Sequence, residues 1–263
     1  MGMTRTYAIL LMGALLVFAG CEDPRGSGEQ TSRLTVYAAS SLTDAFREIE
    51  SGFEAAHPDV EVATNFAGSQ VLRLQLKQGA SADIFASANL QHMTALVDSG
   101  IIVSSEMFAR NELAVVVPED NPARIKSFQD LPRADSLVIG TDDVPVGRYT
   151  RQMFEHARAQ LGDEFVQMVR DRVVSKESNV RLVRAKVAMG EADAAIVYRT
   201  DAVSSDRVKT VDVPSSINVS ARYPIGLITA TEQPELARTF VDYVRSARGA
   251  EVLQRHGFLS EAP

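Results

Sequence analysis

From Arg33 onward, apolar positions along the chain switch repeatedly between a period of two and a period near 3.6. Leu34, Val36 and Ala38 alternate as on one face of a strand, whereas Leu42, Ala45, Phe46, Ile49 and Phe53 share one face of a helix. The same reading predicts strands over 33–39, 60–66, 83–87, 112–117, 136–140, 194–198, 208–213 and 225–230. It predicts helices over 42–54, 70–78, 89–98, 148–161, 163–171, 180–189, 234–247 and 249–256. Strands alternating with amphipathic helices specify an α/β fold with parallel-rich sheets flanked by helices. No internal repeat is visible.

A single domain of this length is allowed, and two lobes are equally natural. Asn111–Pro118 is a strand that opens a second block of α/β sequence, and Tyr223–Ala230 is placed to return the chain to the first. Two such crossings make a hinged pair of lobes with a cleft between them. Ligands in open α/β sheets bind beyond the carboxyl ends of the strands, so the strand-to-helix turns are the places to search.

The first residues read differently. Arg5 supplies a positive start, Tyr7 to Ala19 is an apolar run, and Phe18-Ala-Gly-Cys21 follows. The run is shorter than the roughly 20 residues of a membrane-spanning helix, which points to a cleaved signal over residues 1–20. The end of the run resembles a bacterial lipoprotein cleavage site, with Phe18 in place of the more usual Leu. That resemblance implies lipidation of Cys21 and tethering to a membrane outside the cytoplasm; a plain secretory signal is the alternative. Residues 21–32, polar and rich in Gly and Ser, read as a flexible tether.

Cys21 is the sole cysteine, which excludes a disulfide, a thiol nucleophile and a Cys-based metal site in the folded part. His57, His92, His156 and His256 are scattered at no metal-ligand spacing. Net charge is −7, or −8 without residues 1–20, where Arg5 is the single charged side chain. With no basic stripe, nucleic-acid binding is not expected. An acidic protein can still hold an anion in a local site built from neutral dipoles.

Several predicted turns offer such dipoles. Ser41 follows the first strand and opens a helix; Ser69, in Phe66-Ala-Gly-Ser69, does the same after the second. Pro145 precedes the helix beyond the strand at 136–140, leaving Val146 and Gly147 with free N–H groups. Val180 opens another helix, and Tyr198 ends the strand Ala194–Tyr198. Serine is also an ordinary N-cap, and a partly buried tyrosine is ordinarily a packing residue with a satisfied hydroxyl. Taken together, the helix N-termini and three hydroxyls form an all-neutral donor set suited to an oxyanion. Donors alone reject a ligand that carries its own O–H, because that hydrogen meets no acceptor. Arg148 and Arg181 are expected at the rim or in lobe contacts, and Asp83 and Asp201 in fixing loops or helix starts.

Ala38-Ala-Ser-Ser-Leu-Thr-Asp-Ala-Phe46, Phe66-Ala-Gly-Ser69, Gly79-Ala-Ser-Ala-Asp83, Val144-Pro-Val-Gly-Arg-Tyr149, Asn179-Val-Arg181 and Ile196-Val-Tyr-Arg-Thr-Asp-Ala202 occur in this order. In combination they resemble the molybdate-binding proteins of bacterial ABC importers, from Leu34 to Phe258. The resemblance implies a two-lobed periplasmic-binding-protein fold of type II, with residues 33–109 and 222–263 in one lobe and 110–221 in the other. It implies a molybdate or tungstate site in which Ser41 and Ser69 donate hydroxyl and backbone N–H, Val146 and Val180 backbone N–H, and Tyr198 its hydroxyl. Its partners would be the oxyanion and a membrane ABC permease, with no cofactor, no directly coordinating metal ligands, no catalysis and a monomeric chain. Two positions depart from the family pattern: Val146 stands where Ala is familiar, and Gly68 where Ser or another small residue is frequent. Two alternatives stay open. One is a receptor for another oxyanion or a small organic acid; the other is an exported hydrolase with Ser41 or Ser69 as nucleophile, which lacks a Gly-x-Ser-x-Gly elbow.

Overall fold

The computed structural model describes residues 31–260. The predicted signal, Cys21 and all of the predicted tether but its last two residues lie outside the described residues, as do 261–263. The chain begins with β1 (Ser32–Ala39), a 3₁₀ turn (Ser40–Leu42) and α1 (Thr43–Ala56). Then come β2 (Val60–Ala67), α2 (Ser69–Lys77), β3 (Ile84–Ala86) and α3 (Leu90–Val97). The long β4 (Ile102–Pro118) leads through a 3₁₀ segment (Phe128–Arg133) to β5 (Leu137–Gly140) and α4 (Pro145–Arg170). Next are β6 (Val173–Glu177), α5 (Val180–Ala188), β7 (Ala194–Tyr198), α6 (Arg199–Val203) and β8 (Val208–Asp212). β9 (Ser220–Ile228), α7 (Pro234–Arg245), α8 (Ala247–Arg255) and β10 (Leu259–Ser260) complete the fold.

The strands run in the order β2-β1-β3-β9-β4-β7-β5-β6, with β8 and β10 also paired to β4. β1 is parallel to β2 and β3, and β5 is parallel to β6 and β7. β4 and β9 are antiparallel to each other and to their other neighbours. Pairing changes hands along β4: Ile102–Glu112 faces β9, while Leu113–Pro118 faces β7 and β8. One strand therefore links a half built on β1–β3 to a half built on β5–β8. Leu34, Val36 and Ala38 in the first half and Val115, Val116, Ile196 and Val197 in the second are fully buried.

Most predicted elements stand where the periodicity put them, and the departures have local causes. The strand predicted over 112–117 starts ten residues earlier, because register irregularities between Ile102/Ser105 and Met107/Ala109 break its period of two. β6 lies at the end of the strand order with no fully buried residue, and so shows no apolar run. β9 begins at Ser220 and ends at Ile228, against the predicted 225–230, and five-residue α6 is too short to carry a helical period. The predicted break between 161 and 163 is real: Gly162 has φ +87° inside α4, a conformation that favours glycine.

Candidate functional site

All five predicted donor residues line one cavity of about 10 Å³, roughly the room of one water-sized sphere. Each comes from the carboxyl end of a strand or the helix start just beyond it. Ser41 sits in the 3₁₀ turn after β1, Ser69 begins α2, Val146 is second in α4 behind Pro145, Val180 begins α5, and Tyr198 ends β7. None is more than 9 % exposed. Larger surface depressions of about 560 and 610 Å³ lie elsewhere and include none of the five.

The donors are unspent. Neither α2 nor α4 has a side-chain N-cap bond, so their first N–H groups have no partner within the helix. At α5 the Asn179 side chain accepts from the Leu182 N–H, which leaves the Val180 N–H free. Ser69 Oγ accepts from the Ala88 N–H at 3.1 Å, and Ser41 Oγ bonds Tyr223 Oη at 3.0 Å. Tyr198 Oη has no hydrogen-bond partner, although the residue is 1 % exposed. Burial pushes this phenol well above its usual range, so it remains protonated and able to donate.

Close approaches of the backbone bring these groups together. A Cβ on Gly147 would press into the carbonyl oxygens of Thr141 and Gly140, and one on Gly140 would lie 2.8 Å from Val146 Cγ1. The pair lets the start of α4 settle on the end of β5, and Gly140 gives the valine at 146 its room. A Cβ on Gly68 would meet Ser178 O, on the opposite half, at 2.6 Å. Three bonds cross nearby: Gln70 Nε2 donates to Ser178 O at 2.6 Å, His92 Nε2 bonds Asp143 O at 2.9 Å, and Arg181 Nη1 donates to Asp44 Oδ2 at 2.9 Å. Gly68→Ala is expected to wedge the halves apart and weaken anion binding by about tenfold, with little change in ligand-free melting. Calorimetry beside a thermal melt checks this.

No charged side chain lines the cavity among the described residues. Arg181 pairs with Asp44 across the halves, as expected of a lobe contact. Asp83 holds the Thr35 N–H and the Thr231 hydroxyl. No group of three or more His, Cys, Asp or Glu among the described residues could hold a metal ion. Neither serine hydroxyl bonds a histidine there, the geometry a serine hydrolase requires: His92 and His156 bond main-chain oxygens, and His256 pairs with Glu48.

Asp201, on α6 beyond Tyr198, is buried with Oδ2 unpartnered. Burial, opposed by Arg184 and Arg181 and reinforced by Asp44, pushes its carboxyl up to about 7. A folded state that holds this proton more tightly than the unfolded chain is favoured below about pH 4 and loses that advantage as pH rises towards 7. Asp201→Asn is therefore expected to flatten the fall of melting temperature across this range, as read in a melting series.

The local sequence does not betray Tyr223 and Asn111, which stand behind Ser41. Tyr223 is 182 residues from Ser41 and reads only as part of a strand.

A mixed α/β fold with five neutral donor residues gathered where two sheet halves meet defines a solute-binding protein of the two-lobed type II periplasmic class. The family described as bacterial extracellular solute-binding protein matches residues 34–259, and the chain belongs to it. The chain is 37% identical over 239 residues to the molybdate-binding protein ModA of Mycobacterium tuberculosis H37Rv, covering 90% of this chain and 88% of that one. In fold it is similar to the periplasmic molybdate-binding protein of Azotobacter vinelandii, with TM-score 0.75, 17% identity, and 87% and 100% of the two chains covered. It is equally similar to the sulfate-binding protein SubI of M. tuberculosis, with TM-score 0.78, 16% identity and 88% of each chain covered. The fold is thus common to receptors for different oxyanions, and the fold alone does not choose a ligand.

Proposed function

We propose that this protein captures molybdate or tungstate outside the cytoplasm and delivers it to a membrane ABC permease. The observation that carries this reading is the buried, unpartnered Tyr198 hydroxyl at a cavity to which Ser41, Ser69, Val146 and Val180 bring hydroxyl and backbone N–H groups. An orphaned buried hydroxyl costs about 1–3 kcal/mol unless a ligand accepts from it. The identity to mycobacterial ModA supports a metal oxyanion as that ligand. Residues 33–109 with 222–263, and 110–221, act as the lobes that close on it, and the bonds from Gln70, His92 and Arg181 favour the closed arrangement. The anion is cargo, and its capture needs no cofactor and no catalysis. Lipidated Cys21 tethers a monomeric receptor to the membrane.

An organic acid fits less well, since the small cavity has neither an arginine clamp nor an apolar slot. Calorimetry with molybdate, tungstate, sulfate and phosphate tests the reading. The expected result is tight, near-equal binding of the two metal oxyanions, with sulfate and phosphate weaker by roughly a hundredfold, because shorter bonds to oxygen leave fixed donors out of reach. Sulfate or phosphate binding as tight as that of molybdate would overturn the assignment.

A further inference from the structure

Tyr223 and Asn111 do not line the cavity, yet both are completely buried behind it. Their hydrogen bonds have a direction. Asn111 Oδ1 accepts the Glu112 N–H at 2.9 Å, which fixes the amide's orientation. Nδ2 then donates to Thr200 Oγ1 at 2.9 Å and to Tyr223 Oη at 3.4 Å. With a donor on that side, Ser41 Oγ at 3.0 Å is the acceptor within good hydrogen-bond geometry of the Tyr223 hydroxyl, and the Tyr198 phenol beside it makes no bond of that quality. A buried O–H finds an acceptor where one exists, so the Tyr223 proton belongs to Ser41 Oγ. The Ser41 proton, displaced from that bond, has the cavity to point into. Ser69 is in the same condition, because the Ala88 N–H donates to its oxygen at 3.1 Å.

We propose that Tyr223, oriented by Asn111, is a specificity-determining positioning residue that locks the Ser41 hydroxyl as a donor and so sets the site against oxyanions carrying a proton. The inference rests on the oxyanion reading above and adds the device that enforces its selectivity. A ligand O–H entering the cavity meets serine oxygens that each already accept one bond and whose own hydrogens point at it. Tyr198 and Ser40 supply the other hydroxyls at the cavity, and using the Tyr198 oxygen as an acceptor would strand its own proton. Without the Tyr223 hydroxyl, Ser41 can turn and accept.

Selenate and arsenate form the diagnostic pair. At pH 8 both are dianions of nearly equal size, but arsenate carries one O–H and selenate none. Competition calorimetry against molybdate reads their affinity ratio in the wild-type protein, in Tyr223→Phe and in Asn111→Asp. Phenylalanine keeps the ring packing on Phe108, Tyr198 and Phe258, so the fold is preserved. The wild-type protein should prefer selenate by tenfold or more, and Tyr223→Phe should reduce that preference by about tenfold. Asn111→Asp should go further: its carboxylate draws the Tyr223 proton away, Tyr223 accepts from Ser41, molybdate weakens and arsenate gains. A Tyr223→Phe variant that binds molybdate, selenate and arsenate all unchanged, or all weakened by one common factor, overturns the lock and leaves the oxyanion reading intact. Failure of the wild-type protein to bind any of the three overturns that reading itself.

Discussion

Gly147→Ala is expected to abolish measurable molybdate binding and to lower stability by about 1–3 kcal/mol. The added methyl group has no free volume, since it would press into the Thr141 and Gly140 carbonyl oxygens, which are main-chain atoms held by β5. Thr141 is itself tied to the neighbouring strand end, its N–H donating to Glu177 O at 2.9 Å. The first turn of α4 must therefore move, and the Val146 N–H moves with it. Each donor lost to an ionised ligand is worth about 1.5–3 kcal/mol, so displacing the first N–H groups of α4 together weakens binding at least a hundredfold. Titration calorimetry paired with chemical denaturation reads both effects. Wild-type affinity in Gly147→Ala would show that the start of α4 does not contact the anion.

Tyr198→Phe should move affinity and ligand-free stability in opposite directions. Loss of a hydrogen bond to a charged ligand should weaken molybdate binding by roughly 10–100-fold. The ligand-free protein should melt no lower, and by the same principle somewhat higher, because the change removes a buried hydroxyl that has no partner. Phenylalanine keeps the edge contacts with the Tyr149 and Tyr223 rings, at 6.3 and 5.9 Å between centroids. A tyrosine that served packing alone would leave affinity untouched. Differential scanning of the two proteins, each with and without molybdate, separates the cases, since at a fixed ligand concentration the rise in melting grows with the logarithm of affinity.

The fold was legible where the hydrophobic effect writes a simple period. β1, α1 and β7 bury one face or both, and their apolar positions say so. β4 and β6 escaped in part because backbone pairing, and not side-chain burial, makes a strand of 103–106 and of an exposed edge. The five predicted residues that line the cavity could be named because helix starts and strand ends carry recognisable chemistry, and because several such turns resembled one family in order. Their second layer could not. Tyr223 and the Ala88 N–H reach the serines across 182 and 19 residues, Asn111 reaches Tyr223 across 112, and no local pattern records such pairings.

The alternation of strands and helices, the acidic and nearly cysteine-free character, and the kinds of groups available at each turn follow from the order of residues, because these depend on side-chain chemistry and short-range backbone preference. That Ser41, Ser69, Val146, Val180 and Tyr198 meet in one cavity follows from packing between segments far apart in the chain. Hydrogen-bond direction depends on which partner reaches a buried oxygen first, and that is settled by packing between residues far apart in the chain. Ser41 is an ordinary helix-start serine in the sequence; Tyr223 at its back makes it a donor facing the cleft.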